Sequence, residues 1–205
     1  MARTSSKTLI LDVAEALFAT RGIEEVSLRT VNEATGLSPA AVHYHFKNKE
    51  NLLKAILLRN MRPDTERDKL CVALEQEQQA LTAESYIQAM TFPLQTRFLE
   101  DGLSGEYFTS LVSQIYGHNN PDYRNYLPHE FIDMGNRARS LLIKLKCDEP
   151  LEDALMTYEL LCLTWVEALA GFRSISPTTQ TEDQLLQQKT RYISKVQTFL
   201  IKALG

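Results

Sequence analysis

Apolar residues recur along this chain at intervals of three and four, and no stretch alternates apolar with polar positions long enough to make a useful strand. The pattern is all-α. Over 6–21, Ile10, Val13, Ala14, Leu17 and Phe18 form one stripe, and Gly22 ends the helix. A second helix opens at Ser27, a good N-cap, with Val31 and Ala34 expected to face inward. Thr35-Gly36-Leu37 marks a tight turn, where glycine can take the positive φ of a sharp helix exit. Ser38 offers its hydroxyl as the cap of a third helix, and Pro39 suits the first position, which needs no amide hydrogen. Val42 and Phe46, four apart, share its buried face. Asn48 caps a fourth helix with Leu52, Leu53, Ile56 and Leu57 inside, which Pro63 should kink or break. Helical character resumes over 64–80 and again over 82–99, with a kink implied at Pro93. Helices are expected over 106–116, 124–146 and 151–172, after a turn at 101–105 and a loop at 117–123. The last opens on the capping box Thr181-x-x-Gln184, and the total is about nine helices.

Two short helices around a glycine turn, the second with small and polar outward residues, make a helix-turn-helix, whose second helix enters the DNA major groove. Arg29 and Thr30 lie in the first turn of the second helix, where free amides and the dipole favour a phosphate. Ala40 and Ala41 carry no hydrogen-bonding group and could meet thymine methyls. Charge agrees in sign. Residues 1–62 hold nine Lys and Arg against six Asp and Glu; the remainder hold thirteen against twenty. A basic N-terminal segment on an acidic body suits a polyanion met at one end.

The segments LILDVAEALFATRGIEEVSL and AAVHYHFKNKENLLKAIL, with Gly36-Leu37-Ser38 between them, resemble the DNA-binding domain of the tetracycline-repressor (TetR) family. The resemblance covers the first ~60 residues. It implies a three-helix DNA-binding domain at 1–50, linked through a helix at 49–62 to a helical effector-binding and dimerisation domain at 51–205. It assigns Tyr44, His45 and Lys49 to positions that commonly meet phosphates. His43 stands where a tyrosine is frequent, and Asn32 where a small apolar residue is usual. With Ser38 and Pro39 these residues complete the expected DNA face. The function implied is a sequence-specific regulator: a homodimeric repressor on double-stranded operator DNA, released by a small, partly apolar organic effector.

The body fits that expectation in kind. Its aromatic, methionine-containing middle could line an adaptable pocket, with Phe92, Phe98, Phe108, Tyr116, Met134, Tyr158 and Trp165 as candidates. The helix at 151–172 is apolar on more than one side, so one face can serve the core and another a partner subunit. Leu169, Phe172, Tyr192, Val196, Phe199 and Leu200 are the interface candidates.

Other classes find less support. No uncharged apolar run approaches the ~18 residues of a membrane span, and the N-terminal apolar segment carries Asp12 and Glu15, unlike a secretion signal. Cys71, Cys147 and Cys162 are scattered and odd in number, which fits reduced thiols in a cytoplasm and small buried side chains. No hydrolase constellation, phosphate loop, HExxH or CxxC is present, so no enzyme and no cofactor are expected. His43 and His45 are two apart on a helix and cannot share a metal; His118 and His129 flank a loop. The alternative from another class is a helical protein-binding adaptor without DNA binding.

Overall fold

Three of the first four helices begin on the side chain that caps them. Ser5 Oγ accepts from the Thr8 amide at 3.1 Å and opens α1 (Ser6–Arg21). Ser27 and Thr30 form a reciprocal capping box on α2 (Leu28–Thr35), and Asn48 Oδ1 accepts from the Asn51 amide at 2.8 Å at the start of α4 (Lys49–Asn60). The exception is α3 (Pro39–Phe46). Ser38 holds the N-cap position, but its hydroxyl makes no capping bond. The computed structural model describes residues 5–60, 66–100, 102–117, 121–176 and 180–205.

The body adds α5 (Glu66–Glu75), α6 (Ala83–Glu100), α7 (Gly102–Gly117), a 3-10 helix (Pro121–Tyr126), α8 (His129–Leu145), α9 (Leu151–Ile175) and α10 (Glu182–Ala203). The described residues contain no strand, and their α-helices number ten rather than about nine. The chain forms separate elements on the two sides of Pro63, which lies outside the described residues. Three boundaries differ from expectation. The turn at 101–105 contracts, because Gly105 belongs to α7. Its missing side chain lets α7 press on α6: a Cβ there would lie 1.9 Å from the Arg97 carbonyl oxygen. The helix expected from 124 starts at His129, because Pro128 in extended conformation precedes it and 121–126 coils as a 3-10 turn. Pro93 is carried inside a continuous α6.

One core joins the head to the centre of the body. Ile10, Ala14 and Phe18 of α1, Val31, Val42, Phe46, and Leu52, Leu53, Ile56 and Leu57 of α4 pack into a cluster that continues through Phe108, Leu111, Val112 and Ile115 of α7. A second core gathers α5, α6, α8, α9 and α10 around Ile87, Phe98, Leu142, Trp165 and Phe172. Helix α7 packs on α1, α6 and α9 and so belongs to both halves. Its polar face stitches them: Gln114 donates to the Phe18 carbonyl at 3.0 Å and accepts from the Ile23 amide at 2.9 Å. Tyr123 donates to Glu24 at 2.8 Å; burial first, and that bond second, push its phenol up to about 12.

Leu151–Phe172 is the one helical stretch among the described residues with the length and apolarity of a membrane span, at mean hydropathy 1.3. It packs against α7, α8 and α10, with Trp165, Leu169 and Phe172 buried and Met156 and Leu160 left outside.

Candidate nucleic-acid interface and the cavity behind it

The turn between α2 and α3 is held by its own side chains. Gly36 takes φ 66°, the left-handed conformation that glycine tolerates. Asn32 Nδ2 donates to the Leu37 carbonyl at 3.3 Å, and Thr35 Oγ1 donates to the Asn32 carbonyl at 2.9 Å. Asn32 is therefore half-buried and bridges the turn, which gives a polar residue at that position a structural task. Ala34, expected inside, is exposed, since an eight-residue helix turns one narrow face to the core and Val31 occupies it.

Helix α3 is anchored by Val42 and Phe46, both buried. Everything around that anchor faces outward. Ala40, His43, Tyr44 and His45 are exposed, Ala41 half so, and Tyr44 is 82% accessible with its ring edge-on to His45 at 5.3 Å. Ser38 is exposed and its hydroxyl is not spent on a cap. Pro39 opens the helix, its side chain lying outside what the structure describes. At the far end Lys47 adopts φ 59° and ψ −47°, with the Asn48 amide donating to the Phe46 carbonyl at 2.6 Å. This is a γ-turn of the rare positive-φ kind, and it leaves the Lys47 side chain exposed beside α3. Lys47 was not among the residues expected from the sequence; a cation directly after α3 was the available signal.

The remaining head residues are more committed. Arg29 is exposed but pairs with Glu33 at 2.8 Å one turn on. Thr30 serves the α2 capping box. Lys49 donates to the Glu24 carbonyl at 3.4 Å, and partial burial lowers its pKa, with Glu24 opposing.

Behind the head, α4, α6, α7, α8 and α9 enclose a cavity of about 550 Å³. Phe92, Phe108, Tyr116, Met134, Tyr158 and Trp165 line it. Phe98, the seventh candidate, does not. Its ring is fully buried in the second core, edge-on to Phe172 at 5.2 Å and under the Lys189 ammonium at 4.6 Å. The helical period carries Phe98 to another face of α6 than Phe92, which sequence proximity had hidden. Tyr158 and Cys162 sit together on the wall, and desolvation raises both, the thiol to about 11. At Gly135 a Cβ would approach the Tyr158 hydroxyl to 3.2 Å, so glycine keeps that part of the wall open.

The polar lining was not foreseen. Asn60 of α4 and Arg97 of α6 both face the cavity. Arg97 Nη2 donates to Asn60 Oδ1, Asn60 Nδ2 donates to Glu15 Oε1 of α1 at 3.1 Å, and Arg59 pairs with Glu15 and Asp12. Glu15 is buried; desolvation raises its pKa, more than Arg59, Arg97 and Asn60 lower it. This chain of groups runs from the cavity wall into the first helix of the head. An Arg within the apolar run MTFPLQTRFLE was its only sequence signal.

On α9 and α10, Leu169, Phe172 and Leu200 are buried within the single chain. Tyr192 is half-buried and donates to the Ala168 carbonyl at 3.0 Å, Val196 is half-buried, and Phe199 is 61% exposed. Among the described residues, the large apolar side chains left outside on α9 and α10 are Leu151, Met156, Leu160, Ile175, Leu186 and Phe199. Of the cysteines, Cys71 is buried, Cys162 half-buried and Cys147 exposed at the end of α8, against the expectation of three buried thiols.

Residues 10–56 match the sequence profile of bacterial regulatory proteins of the tetR family. The N-terminal domain belongs to the tetR family. The chain is 43% identical over 53 residues to the transcriptional repressor AcnR of Corynebacterium glutamicum, covering 26% of this chain and 28% of that protein. It is 33% identical over 55 residues to the transcriptional repressor KstR2 of Rhodococcus jostii, covering 27% of each. The chain thus matches little more than a quarter of the length of these relatives. Solved structures extend the likeness of fold over the whole molecule. AmtR of Mycobacterium smegmatis superposes with a TM-score of 0.62 at 18% identity, covering 100% of this chain and 88% of that one. The fatty acid degradation regulator FadR of Bacillus halodurans gives 0.58 at 14% identity, covering 98% and 97%. The matched span 10–56 covers α1 from Ile10 onward, all of α2 and α3, and α4 as far as Ile56.

Proposed function

We propose that this protein is a sequence-specific DNA-binding repressor that acts as a cytoplasmic homodimer and leaves its operator when a small organic molecule fills the cavity. The observation that carries the reading is the outward face of α3: His43, Tyr44 and His45 stand exposed on a helix whose other face is pinned by Val42 and Phe46, and Lys47 is exposed directly after it. A rigid helix with an exposed polar face is what the major groove admits. Ala40 and Ala41 offer contacts to thymine methyls, and Tyr44, His45 and Lys47 offer contacts to phosphates.

A dimer supplies two such heads to two half-sites, and its surface is drawn from the residues left outside on α9 and α10, with Met156, Leu160 and Phe199 at its centre. The cavity, of a size that suits a drug-sized ligand, touches α4 through Leu58 and Asn60. A ligand that moves Arg97 acts on Asn60 and so on Glu15 of α1. It then shifts the population of head positions and releases DNA through its differential affinity for the two states.

The test is selection of bound sequences from randomised duplexes by the purified protein at two salt concentrations. Enrichment of an inverted repeat, with affinity falling steeply as salt rises, is the expected result. No enrichment and no binding at low salt would overturn it and favour a protein-binding adaptor.

A further inference from the structure

The charged groups of the cavity fall into two sets. On α8, Glu130 and Asp133 are exposed; Asp133 pairs with His129 at 2.8 Å, and Arg137 is held by both carboxylate oxygens of Glu75 at 2.9 and 3.0 Å. The inner set is the guanidinium of Arg97 with the amide of the buried Asn60. Around it the wall is aromatic: the Arg97 guanidinium lies 5.8 Å from the centre of the Phe108 ring. The wall also holds a donor in Trp165, whose buried indole N–H has no acceptor among the described residues.

We propose that the effector is an organic monoanion, an acid with an aromatic or aliphatic body, whose carboxylate pairs with Arg97 in competition with Asn60 Oδ1. This rests on the reading of the cavity as an effector site. A guanidinium presents a planar fork that a carboxylate meets with two parallel charge-assisted bonds, which a neutral amide oxygen cannot match. The aromatic surroundings accept the apolar body. The acidic side chains of α8 set the limit of one charge, because a second anionic group reaching Glu130 and Asp133 would meet like charge. The pairing also has a direction. Once a carboxylate neutralises Arg97, Glu15 loses part of the positive field that favours its ionised form, and the contact between α1 and α4 loosens at the head.

Trp165 is the only tryptophan in the chain, so its fluorescence reports the cavity directly in the full-length protein. The probes are 4-phenylbutyrate and 4-phenylbutyramide, which share a body and differ in charge. The acid is expected to bind about ten-fold more tightly than the amide. Arg97→Gln should reduce the acid to the level of the amide, and Arg97→Lys should keep part of the preference. Equal binding of acid and amide to the unaltered protein would overturn the monoanion proposal and leave a cavity for neutral effectors. An acid preference that survives Arg97→Gln would overturn the role of Arg97. Absence of binding by either probe, confirmed by calorimetry, would remove the acid and the effector reading of the cavity together. The comparison in the unaltered protein does not depend on the variants folding.

Discussion

The head and the body solve opposite problems with the same helices. In the head, function faces out. The core of α3 is two side chains, Val42 and Phe46, and the residues proposed to meet DNA surround them on the open side. Local hydrogen bonds at Ser27, Thr30, Asn32 and Asn48 fix the short helices, which are too short to persist alone. In the body the candidate site faces in, and long helices are held by burial against one another. The polar groups there are few and costly, as with Lys189, 2% exposed, which bridges Glu106 at 2.9 Å and the Phe98 carbonyl at 3.0 Å. A surface site can be changed without unfolding its scaffold; a cavity wall is also the core.

The variants that break this contrast most strongly lie in the body. Gly105→Ala places a methyl into the Arg97 carbonyl and is expected to cost about 3 kcal/mol or more in urea unfolding. A loss below ~1 kcal/mol would show that α6 and α7 separate easily. Lys189→Ala removes the ammonium beside Glu106 and should cost about 3 kcal/mol, most of it recovered in the double variant Lys189→Met, Glu106→Leu.

At the boundary between the halves, Glu15→Gln tests the buried carboxylate. Its folded pKa is raised above the ordinary 4.5 because burial disfavours the charge. Its contribution to stability is therefore full below about 4.5 and is lost as pH rises through the raised value. The glutamine variant should gain on the unaltered protein as pH climbs through that window; a variant that falls behind instead would mean that attraction to Arg59 and Arg97 outweighs burial. Smaller still, Ser27→Ala should cost about 1 kcal/mol, the usual worth of a cap. Leu160→Glu, at a side chain 65% exposed, should change unfolding of the chain by no more than about 0.5 kcal/mol. It should move the sedimentation coefficient from dimer to monomer; an unaltered coefficient would place the interface elsewhere.

The same contrast explains what the sequence disclosed. Caps, the Gly36 turn and the four-residue spacing of Val42 and Phe46 are local signals, and the helix-turn-helix was legible residue by residue. The body was legible as helices, and six of the seven pocket candidates line one cavity. Which side of a greasy helix faces which neighbour depends on packing between distant segments. Phe98, Leu169, Phe172 and Leu200 went into the core for that reason. The group of Glu15, Asn60 and Arg97 draws on three helices separated by up to 82 residues, and no local pattern joins them. Gly105 read as a turn because glycine signals both a turn and a close approach, and only the neighbouring helix decides between them.

The exposed face of α3 is proposed to meet DNA. The most direct test is the affinity for a selected duplex, measured across a salt series, of the unaltered protein and of Tyr44→Ala and Lys47→Ala. Both side chains are exposed and outside the core, so thermal unfolding should stay unchanged. Weaker binding by both variants is expected and, for Lys47→Ala, a log–log salt slope reduced by about one. Affinities and slopes equal to those of the unaltered protein would contradict the proposal.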